Sequence, residues 1–287
     1  MLIRCDILAA VDLGDIVSGI LAQRVASGWE EQSLPDGGTR FIIYAPDASF
    51  IQSLMAELQP LCSSLDIRVS NVEEQDWQQV WREYFTPVAC GELFLALPPW
   101  RAHDARLEGR LPIIIEPRSA FGTGHHASTV LCLEAISELY QAGRIAAGMS
   151  FLDLGTGSGI LGIGCCRLGL SGVGLDTDPL AIENALENRE RNQCSKFELA
   201  VGSMERVTGR SFDVALANIL AGPLQELAPD MRRVLKNPGC LVLSGILTIQ
   251  ADAVEASYRL EGFGSARRKR SGEWTSLIWE GLRRNGH

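Results

Sequence analysis

The 287-residue sequence has no apolar run long enough to span a bilayer. Its opening, Met-Leu-Ile-Arg-Cys-Asp, lacks the basic-then-apolar order of a signal peptide. A cytosolic protein is expected. Pairs of the C-x-x-C type are also missing: the eight cysteines (Cys5, Cys62, Cys90, Cys132, Cys165, Cys166, Cys194, Cys240) are scattered. Adjacent Cys165 and Cys166 diverge on a helix, so the pattern argues against a zinc or redox role and for small buried side chains in a reducing compartment. Positive charge is scarce. A net charge of −9 argues against general nucleic-acid binding, which needs a basic surface. Residues 1–75 hold four arginines and no lysine against eleven acidic residues, a net of −7. A surface for a basic partner and a merely solubilising surface both fit that imbalance.

What the chain does have centres on Phe151–Ile160, F-L-D-L-G-T-G-S-G-I. An apolar run ends in an acidic residue, three alternating glycines follow, and a helix-like segment begins. This pattern predicts a buried parallel strand turning sharply into a helix N-terminus, with glycines where a ligand approaches the backbone. Asp153 then stands near the carboxyl end of the strand, where open α/β sheets bind ligands. The dinucleotide fingerprint G-x-G-x-x-G/A fits Gly155 and Gly157 but meets Ile160 at its third small position. D-L-G-T-G-S-G instead resembles motif I of the S-adenosylmethionine methyltransferases.

In chain order, residues 2–9 read as a strand and residues 12–27 as a helix. Residues 29–33 and 39–44 flank a P-D-G-G turn signal, residues 47–62 read as a second helix, and residues 66–72 as a fourth strand. That β-α-β-β-α-β order is the ferredoxin-like motif. It contains no catalytic constellation, so residues 1–75 are read as a recognition domain. Residues 76–112 are read as a connector: an aromatic stripe at helical spacing (Trp77, Val80, Trp81, Phe85), then Pro87, Pro98 and Pro99, which suggest a semi-rigid hinge. Residues 113–287 are expected to form the catalytic domain. There a glycine-rich loop at Phe121–Gly124 leads into a helix over Thr129–Tyr140, and strands alternate with helices from Phe151 onward, the signature of a doubly wound α/β sheet. Asp178-Pro179 reads as a helix N-cap with proline at the first helical position. The last strands are expected at 172–175, 196–201, 212–217 and 239–244, with a final pair within 266–282.

Two side chains stand at predicted strand ends. Asp176 lies 21 residues after Gly155, where a carboxylate can accept both hydroxyl hydrogens of a ribose. Asn218 ends the strand before I-L-A-G-P-L. A side-chain amide there can accept a hydrogen bond from an amine and aim its lone pair at a methyl group, although an Asn in a loop is often a turn former. The pair His125-His126 diverges in a loop with no other ligand cluster, so no metal site is expected.

Together, E-P-R-S-A-F-G-T-G-H-H-A-S-T, D-L-G-T-G-S-G-I-L, G-L-D-T-D-P and A-N-I-L-A-G-P-L resemble the ribosomal protein L-eleven methyltransferase family. The W-x-x-x-W connector and P-P-W also match, so the similarity covers nearly the whole chain. It implies a class I S-adenosyl-L-methionine (SAM) methyltransferase with a Rossmann-like sheet behind a small α+β ferredoxin-like domain. It implies that Phe121, Gly122, Thr123 and Thr129 cover the cofactor and that Asp153, Gly155, Thr156 and Gly157 cradle it. Asp176 would hold the ribose, and Asn218, the implied catalytic residue, would lie where cofactor and acceptor amine meet. The family often has Pro or Glu where this chain has Ala127, and Thr where it has Ser128.

The implied reaction is in-line attack by a deprotonated amine on the sulfonium methyl. The acceptors would be lysine ε-amines, and the N-terminal α-amine, of ribosomal protein L-eleven, by a monomer that reads no nucleic-acid sequence. A different protein substrate and a non-catalytic SAM-binding ribosome-assembly factor are the alternatives. A glutamine methyltransferase is disfavoured because it resembles N-P-P-Y where this chain has N-I-L-A. An NAD oxidoreductase is disfavoured by Ile160 and by the absence of a catalytic His or Tyr-x-x-x-Lys pattern. The run Arg267–Arg270 reads as a solvated basic strand edge in preference to an RNA contact.

Overall fold

The computed structural model describes residues 2–11, 13–25, 29–34, 37–45, 48–58, 65–72, 85–103, 106–117 and 124–282. The chain divides into two compact units, Met1–Tyr84 and Phe85–His287. The aromatic stripe expected before Phe85, and Phe121, Gly122 and Thr123, lie outside the described residues.

The first unit runs β1 (Leu2–Ala9), α1 (Gly14–Arg24), β2 (Glu30–Ser33), β3 (Thr39–Ala45), α2 (Ala48–Leu58) and β4 (Asp66–Val72). Its sheet has the antiparallel order β2-β3-β1-β4, the ferredoxin-like arrangement expected from the element order. Period-two alternation explains the packing. Ile3, Cys5, Ile7 and Ala9 of β1 and Phe41, Ile43 and Ala45 of β3 share a core with Val17 and Leu21 of α1 and Ile51, Leu54 and Leu58 of α2. On the alternate positions, Asp6 is 5% exposed yet ionised, because Arg4 (2.8 Å) and Arg40 (2.7 Å) grip its carboxylate. The Arg4 hydrogen bond is the main cause holding the Asp6 carboxyl below its usual range.

The second unit is built on a seven-stranded sheet of order β10-β9-β8-β11-β12-β14-β13. Its strands are β8 (Ser150–Leu154), β9 (Ser171–Asp176), β10 (Phe197–Val201), β11 (Phe212–Asn218), β12 (Leu235–Leu247), β13 (Arg267–Ser271) and β14 (Trp274–Leu282). The first five in that order are parallel, and β14 runs antiparallel between β12 and β13. The helices are α3 (Ala127–Gln141), α4 (Ile160–Arg167), α5 (Pro179–Arg191), α6 (Ala221–Glu226), α7 (Ala228–Val234) and α8 (Ala251–Leu260). A parallel sheet must be covered on both faces, and strand alternation sorts the two layers. Phe151, Val214, Leu216 and Val242 pack with α3 and α4. Leu152, Ala215, Leu241 and Leu243 pack with α6, α7 and α8. Asp178 caps α5, its side chain accepting from Leu180 N at 2.9 Å, with Pro179 first in the helix as expected.

The stretch read as a connector carries a sheet of its own. β5 (Val88–Cys90), β6 (Phe94–Leu97) and β7 (Leu111–Ile114) form three strands in that order, β6 and β7 parallel. Cys90, Phe94, Ala96 and Ile113 enter the same core as α3 and α4, so this segment is packed framework and not a hinge. Strands of three or four residues between proline and glycine breaks leave too short a pattern to read. Past β7 the backbone is satisfied by side chains instead of another strand. Asn192 accepts from Ile114 N (2.9 Å) and donates to Ile114 O (2.6 Å), and Asn188 accepts from Glu116 N (2.9 Å).

The basic run on β13 is largely spoken for. Arg267 pairs with Glu138 (2.8 Å), Arg268 with Asp252 (2.7 Å) and Lys269 with Glu134 (2.8 Å). These carboxylates come from α3 and α8, so the charges tie the edge strand to its neighbouring helices.

Candidate functional site

The glycine turn is fastened from below. After β8, Gly155 N and Thr156 N both donate to Leu175 O of β9, at 2.8 and 2.9 Å. Thr156 Oγ1 donates to Asp153 Oδ2 at 2.7 Å, and Gly162 N, in the first turn of α4, donates to the same oxygen at 3.0 Å. Gly155 has φ +69°, and a Cβ there would fall 2.2 Å from Ile219 Cγ2, so only glycine fits. Asp153 and Thr156 are buried beneath the turn and shape it, whereas Gly155 and Gly157 face the open side.

Burial pushes the Asp153 carboxyl up to about 6, the bonds from Thr156 and Gly162 opposing that rise and nearby Asp176 adding to it. Its Oδ1 is buried without a hydrogen-bond partner. An unfolded Asp titrates near 3.9, so the folded pKa is raised. The contribution of this group is therefore fully present below about pH 4 and is lost as pH rises through about 6, a cost of about 3 kcal/mol above that window. Asp153→Asn keeps an acceptor for Thr156 and Gly162 and removes the charge. Its stability relative to the parent is expected to improve by about 3 kcal/mol between pH 4 and pH 7, as read by denaturant unfolding at several pH values. A difference that is flat with pH would refute this assignment.

Above the turn lies a cavity of about 660 Å³ along the carboxyl ends of the parallel strands. At one end are Asp176, Thr177 and Asp178 after β9 and Gly202 and Ser203 after β10. Gly155 and Gly157 lie in the middle. Asn218, Ile219 and Leu220 after β11, Gly245 of β12, Trp274 of β14 and His126 before α3 form the other end. The half-buried Asp176 is held by two backbone donors, Gly157 N to Oδ2 (2.9 Å) and Asp178 N to Oδ1 (3.0 Å). Those bonds fix the carboxylate at the strand end while leaving acceptor capacity.

Asn218 is oriented from behind. Its Nδ2 donates to Thr129 Oγ1 at 3.3 Å, and its Oδ1 is buried with no partner. Thr129 is fully buried, so it acts on the site through Asn218 and does not line the cavity. The start of α3 is itself pinned: Ser244 Oγ donates to Ser128 O at 3.1 Å. His126 is the N-cap of α3, Nδ1 accepting from Ser128 N (3.3 Å) and lying 2.7 Å from Ser128 Oγ. With Nδ1 used as an acceptor, the ring proton belongs on Nε2. The imidazole meets Trp274 edge-on at 4.5 Å, and the two rings close that end of the cavity. His125 packs against Phe85 (5.2 Å, edge-on), and no cluster of three metal-ligating side chains occurs among the described residues.

Of the residues singled out from sequence, Gly155, Gly157, Asp176 and Asn218 share this cavity, and Asp153, Thr156 and Thr129 support it. Gly245, His126 and Trp274 were not singled out as site residues. A glycine inside the β12 pattern was the one local signal for Gly245. Nothing near His126 or Trp274 in sequence links them to β11.

Comparison with known proteins follows the same lines. Residues 16–281 match the family described as ribosomal protein L11 methyltransferase (PrmA). A protein of that name from Desulforapulum autotrophicum is 32% identical over 279 residues, which cover 94% of this chain and 90% of that protein. Another from Vibrio campbellii is 36% identical over 216 residues, covering 75% and 71% of the two chains. The solved structure of a ribosomal protein L11 methylase from Lactobacillus delbrueckii subsp. bulgaricus superposes with a TM-score of 0.62 at 26% identity, over 69% of this chain and 100% of that one.

Proposed function

The chain belongs to the ribosomal protein L11 methyltransferase family, and from that premise we propose that it methylates lysine ε-amines, and the N-terminal α-amine, of ribosomal protein L11. It is a SAM-dependent protein methyltransferase. The observation that carries the reading is the single cavity with a held carboxylate, Asp176, at one end and the unpartnered Asn218 Oδ1 at the other.

The residues present fit the cofactor. The turn at Gly155 is a cradle that a Cβ would fill, and the carboxylate at the end of β9 stands where a ribose is held in open α/β sheets. Asp176 would accept the ribose hydroxyl hydrogens, and Gly155 and Gly157 would let the cofactor approach the backbone. From the family resemblance, Phe121, Gly122 and Thr123 would cover it, with Thr129 behind. When bound, the sulfonium supplies an already activated methyl group, leaving alignment and desolvation to the protein. Loss of two charge-assisted hydrogen bonds in Asp176→Ala is expected to weaken SAM binding by roughly 10–100-fold, measured by calorimetry. Undiminished affinity would remove Asp176 from the site.

The acceptor is an amine that arrives as an ammonium. A free lysine has a pKa near 10.4, and enclosure in an apolar cleft lowers it. Ile219, Leu220, Pro223 and Trp274 supply such walls at the Asn218 end. Asn218 Oδ1 accepts one N–H of the neutral amine and turns its lone pair toward the methyl. His126 does not act as the base, because Nδ1 already accepts from Ser128. The proton leaves to solvent as the amine enters.

Residues 1–75 are assigned to substrate recognition, their net charge of −7 suiting a basic ribosomal protein. The catalytic role is assigned to the second unit, Phe85–His287, so the catalytic domain begins before the expected boundary at residue 113 and takes in much of the expected 76–112 connector. The protein is assigned to the cytoplasm as a monomer that does not read nucleic-acid sequence. Engagement of Arg267, Arg268 and Lys269 by carboxylates supports the last point, and among the described residues no helix is long and apolar enough to cross a membrane. The test is incubation with methyl-labelled SAM and ribosomal proteins from a strain lacking the enzyme, with the label mapped by mass spectrometry. Label on lysines or the N-terminus of L11 is expected. SAM binding with no label on any protein would leave an assembly factor, and label on another protein would move the substrate.

A further inference from the structure

The acceptor end of the cavity does not stop at Trp274. Leu247 is the last residue of β12 and pairs in register with Trp274, the first residue of β14. Trp274 lines the large cavity, and Leu247 lines a second pocket of about 280 Å³, together with Thr248, Ile249, Arg270, Gly272 and Glu273. The two hollows therefore adjoin across one pair of strand partners. Gly245 belongs to the first and Leu247 to the second. Two residues of strand span roughly 7 Å.

The walls of the second pocket are pinned. After β12 the chain makes a 3₁₀ turn over Thr248–Gln250. Thr248 N donates to Glu273 O at 2.7 Å. Thr248 Oγ1 donates to the same oxygen at 3.1 Å and lies 2.9 Å from Thr275 Oγ1. Gln250 Oε1 accepts from Leu247 N at 3.1 Å. Opposite, Gly272 with φ +57° turns β13 into β14 through a two-residue hairpin.

On that fixed turn Ile249 is 88% exposed. A single exposed isoleucine is ordinary; its position is not. Leu220, 73% exposed, stands after β11 at the mouth of the large cavity. Strands β11, β12 and β14 are adjacent in the sheet, so exposed apolar side chains follow both β11 and β12, with Trp274 at the head of β14. Neither Leu220 nor Ile249 adds to the core, and both leave water under a segment of chain laid across the acceptor end.

Charge decides what the second pocket selects. Arg270 and Glu273 are exposed, opposite in sign and both on its wall. A charged occupant meets one attraction and one repulsion in return for its lost hydration. Selection therefore falls on Leu247 and Ile249, which favour an aliphatic side chain. Spacing decides which residue of the acceptor supplies it. In an extended segment, the side chains one place from a buried lysine point away from the surface. Those two places away point the same way as the lysine, roughly 7 Å along. That matches the step from Gly245 to Leu247.

Resting on the assignment of the Asn218 end to the acceptor amine, we propose that the pocket of Leu247 and Ile249 is a specificity subsite for the protein substrate. It receives an aliphatic side chain two residues from the lysine that is methylated. The acceptor segment lies extended over Leu220, Trp274 and Ile249, and the subsite contributes affinity and register to the reaction.

The experiment uses the full-length enzyme, SAM and purified L11, or whichever protein carries the methyl label. The residues two places before and two places after a labelled lysine are replaced, one at a time, by leucine, aspartate or arginine. With the parent enzyme, leucine at one of the two places is expected to exceed aspartate by roughly tenfold or more in kcat/KM, chiefly through KM. Ile249→Asp should reverse the preference at that same place, favouring arginine over leucine, because it puts a carboxylate where the apolar wall stood. Ile249 is exposed, so the change meets water in the free enzyme, and calorimetric SAM affinity is expected to stay at the parent value. Equal kcat/KM for leucine and aspartate at both places would overturn the subsite, and this comparison needs no enzyme variant. An Ile249→Asp enzyme with the parent's preferences would overturn it too. In either case labelled L11 leaves the reading of the Asn218 end standing. SAM binding with no label on any protein removes that reading and the subsite together.

Discussion

Asn218→Ala is expected to cut turnover by roughly 10²–10³-fold while SAM affinity stays within about threefold. The asymmetry follows from where the amide sits. Asp176 and the glycine turn occupy the part of the cavity over β8, β9 and β10, whereas Asn218 faces the part over β11, β12 and β14. Its Nδ2 is committed to Thr129, and its Oδ1 is buried and unused by the protein. A buried acceptor left unpaired costs about 1–3 kcal/mol. An incoming amine repays that cost only when its N–H points at Oδ1, the orientation that turns its lone pair toward the methyl. Alanine removes both the penalty and the orientation, so the variant should fold well and react poorly. Steady-state kinetics with L11 as acceptor, alongside calorimetric SAM binding, separates the two effects. Parallel losses of kcat and SAM affinity would show that Asn218 serves the cofactor and not the amine.

The parts of this site that could be read from sequence are those carried by one contiguous stretch. Phe151–Ile160 announces a strand, a glycine turn and a helix because its apolar run, its glycines and the following helical segment each obey a local rule. Asp178-Pro179 announces a helix start for the same reason, and both are found as expected. Residues 2–9 read as a strand, and the face shared by Ile3, Cys5 and Ile7 follows from period-two alternation once the core is seen. Chemistry set by partners distant in sequence was not legible. Asp153 could be placed at a strand end, but its burial under Thr156 and Gly162 depends on how α4 folds back. The sheet of β5, β6 and β7 needs α5 to cap its edge through Asn188 and Asn192, 72 and 78 residues away. His126 and Trp274 meet across nearly the whole catalytic unit. In each case the local pattern is ordinary, and the meaning comes from the parallel sheet bringing strand ends together.

Gly245→Ala tests that collective geometry at a residue that brings no side chain to the cavity. Gly245 lies on β12, next to Ser244, which is paired in register with Asn218. Its φ is +79°, a region that costs an L-residue about 1–2 kcal/mol. A Cβ added there would stand 2.4 Å from Ile219 O, 2.9 Å from Ile219 C and 3.0 Å from Ile219 N. All three are backbone atoms, so no side-chain rotation relieves the contact, and the Ile219 peptide must move. At Gly155 the obstacle is instead a side-chain atom, Ile219 Cγ2 at 2.2 Å. Ile219 directly follows Asn218, so moving its peptide rotates the Asn218 amide off Thr129. A displacement near 1 Å is worth on the order of 10² in rate. Gly245→Ala should therefore lose roughly 10–100-fold in kcat, and its thermal stability should fall modestly. Asp176 is held by Gly157 and Asp178, neither of which contacts β12 through a hydrogen bond, so SAM binding should weaken far less. Turnover, SAM calorimetry and a melting curve on one preparation read all three. Full activity in Gly245→Ala would mean that the Ile219 peptide is free to move without consequence, and that the alignment attributed to Asn218 does not limit the reaction.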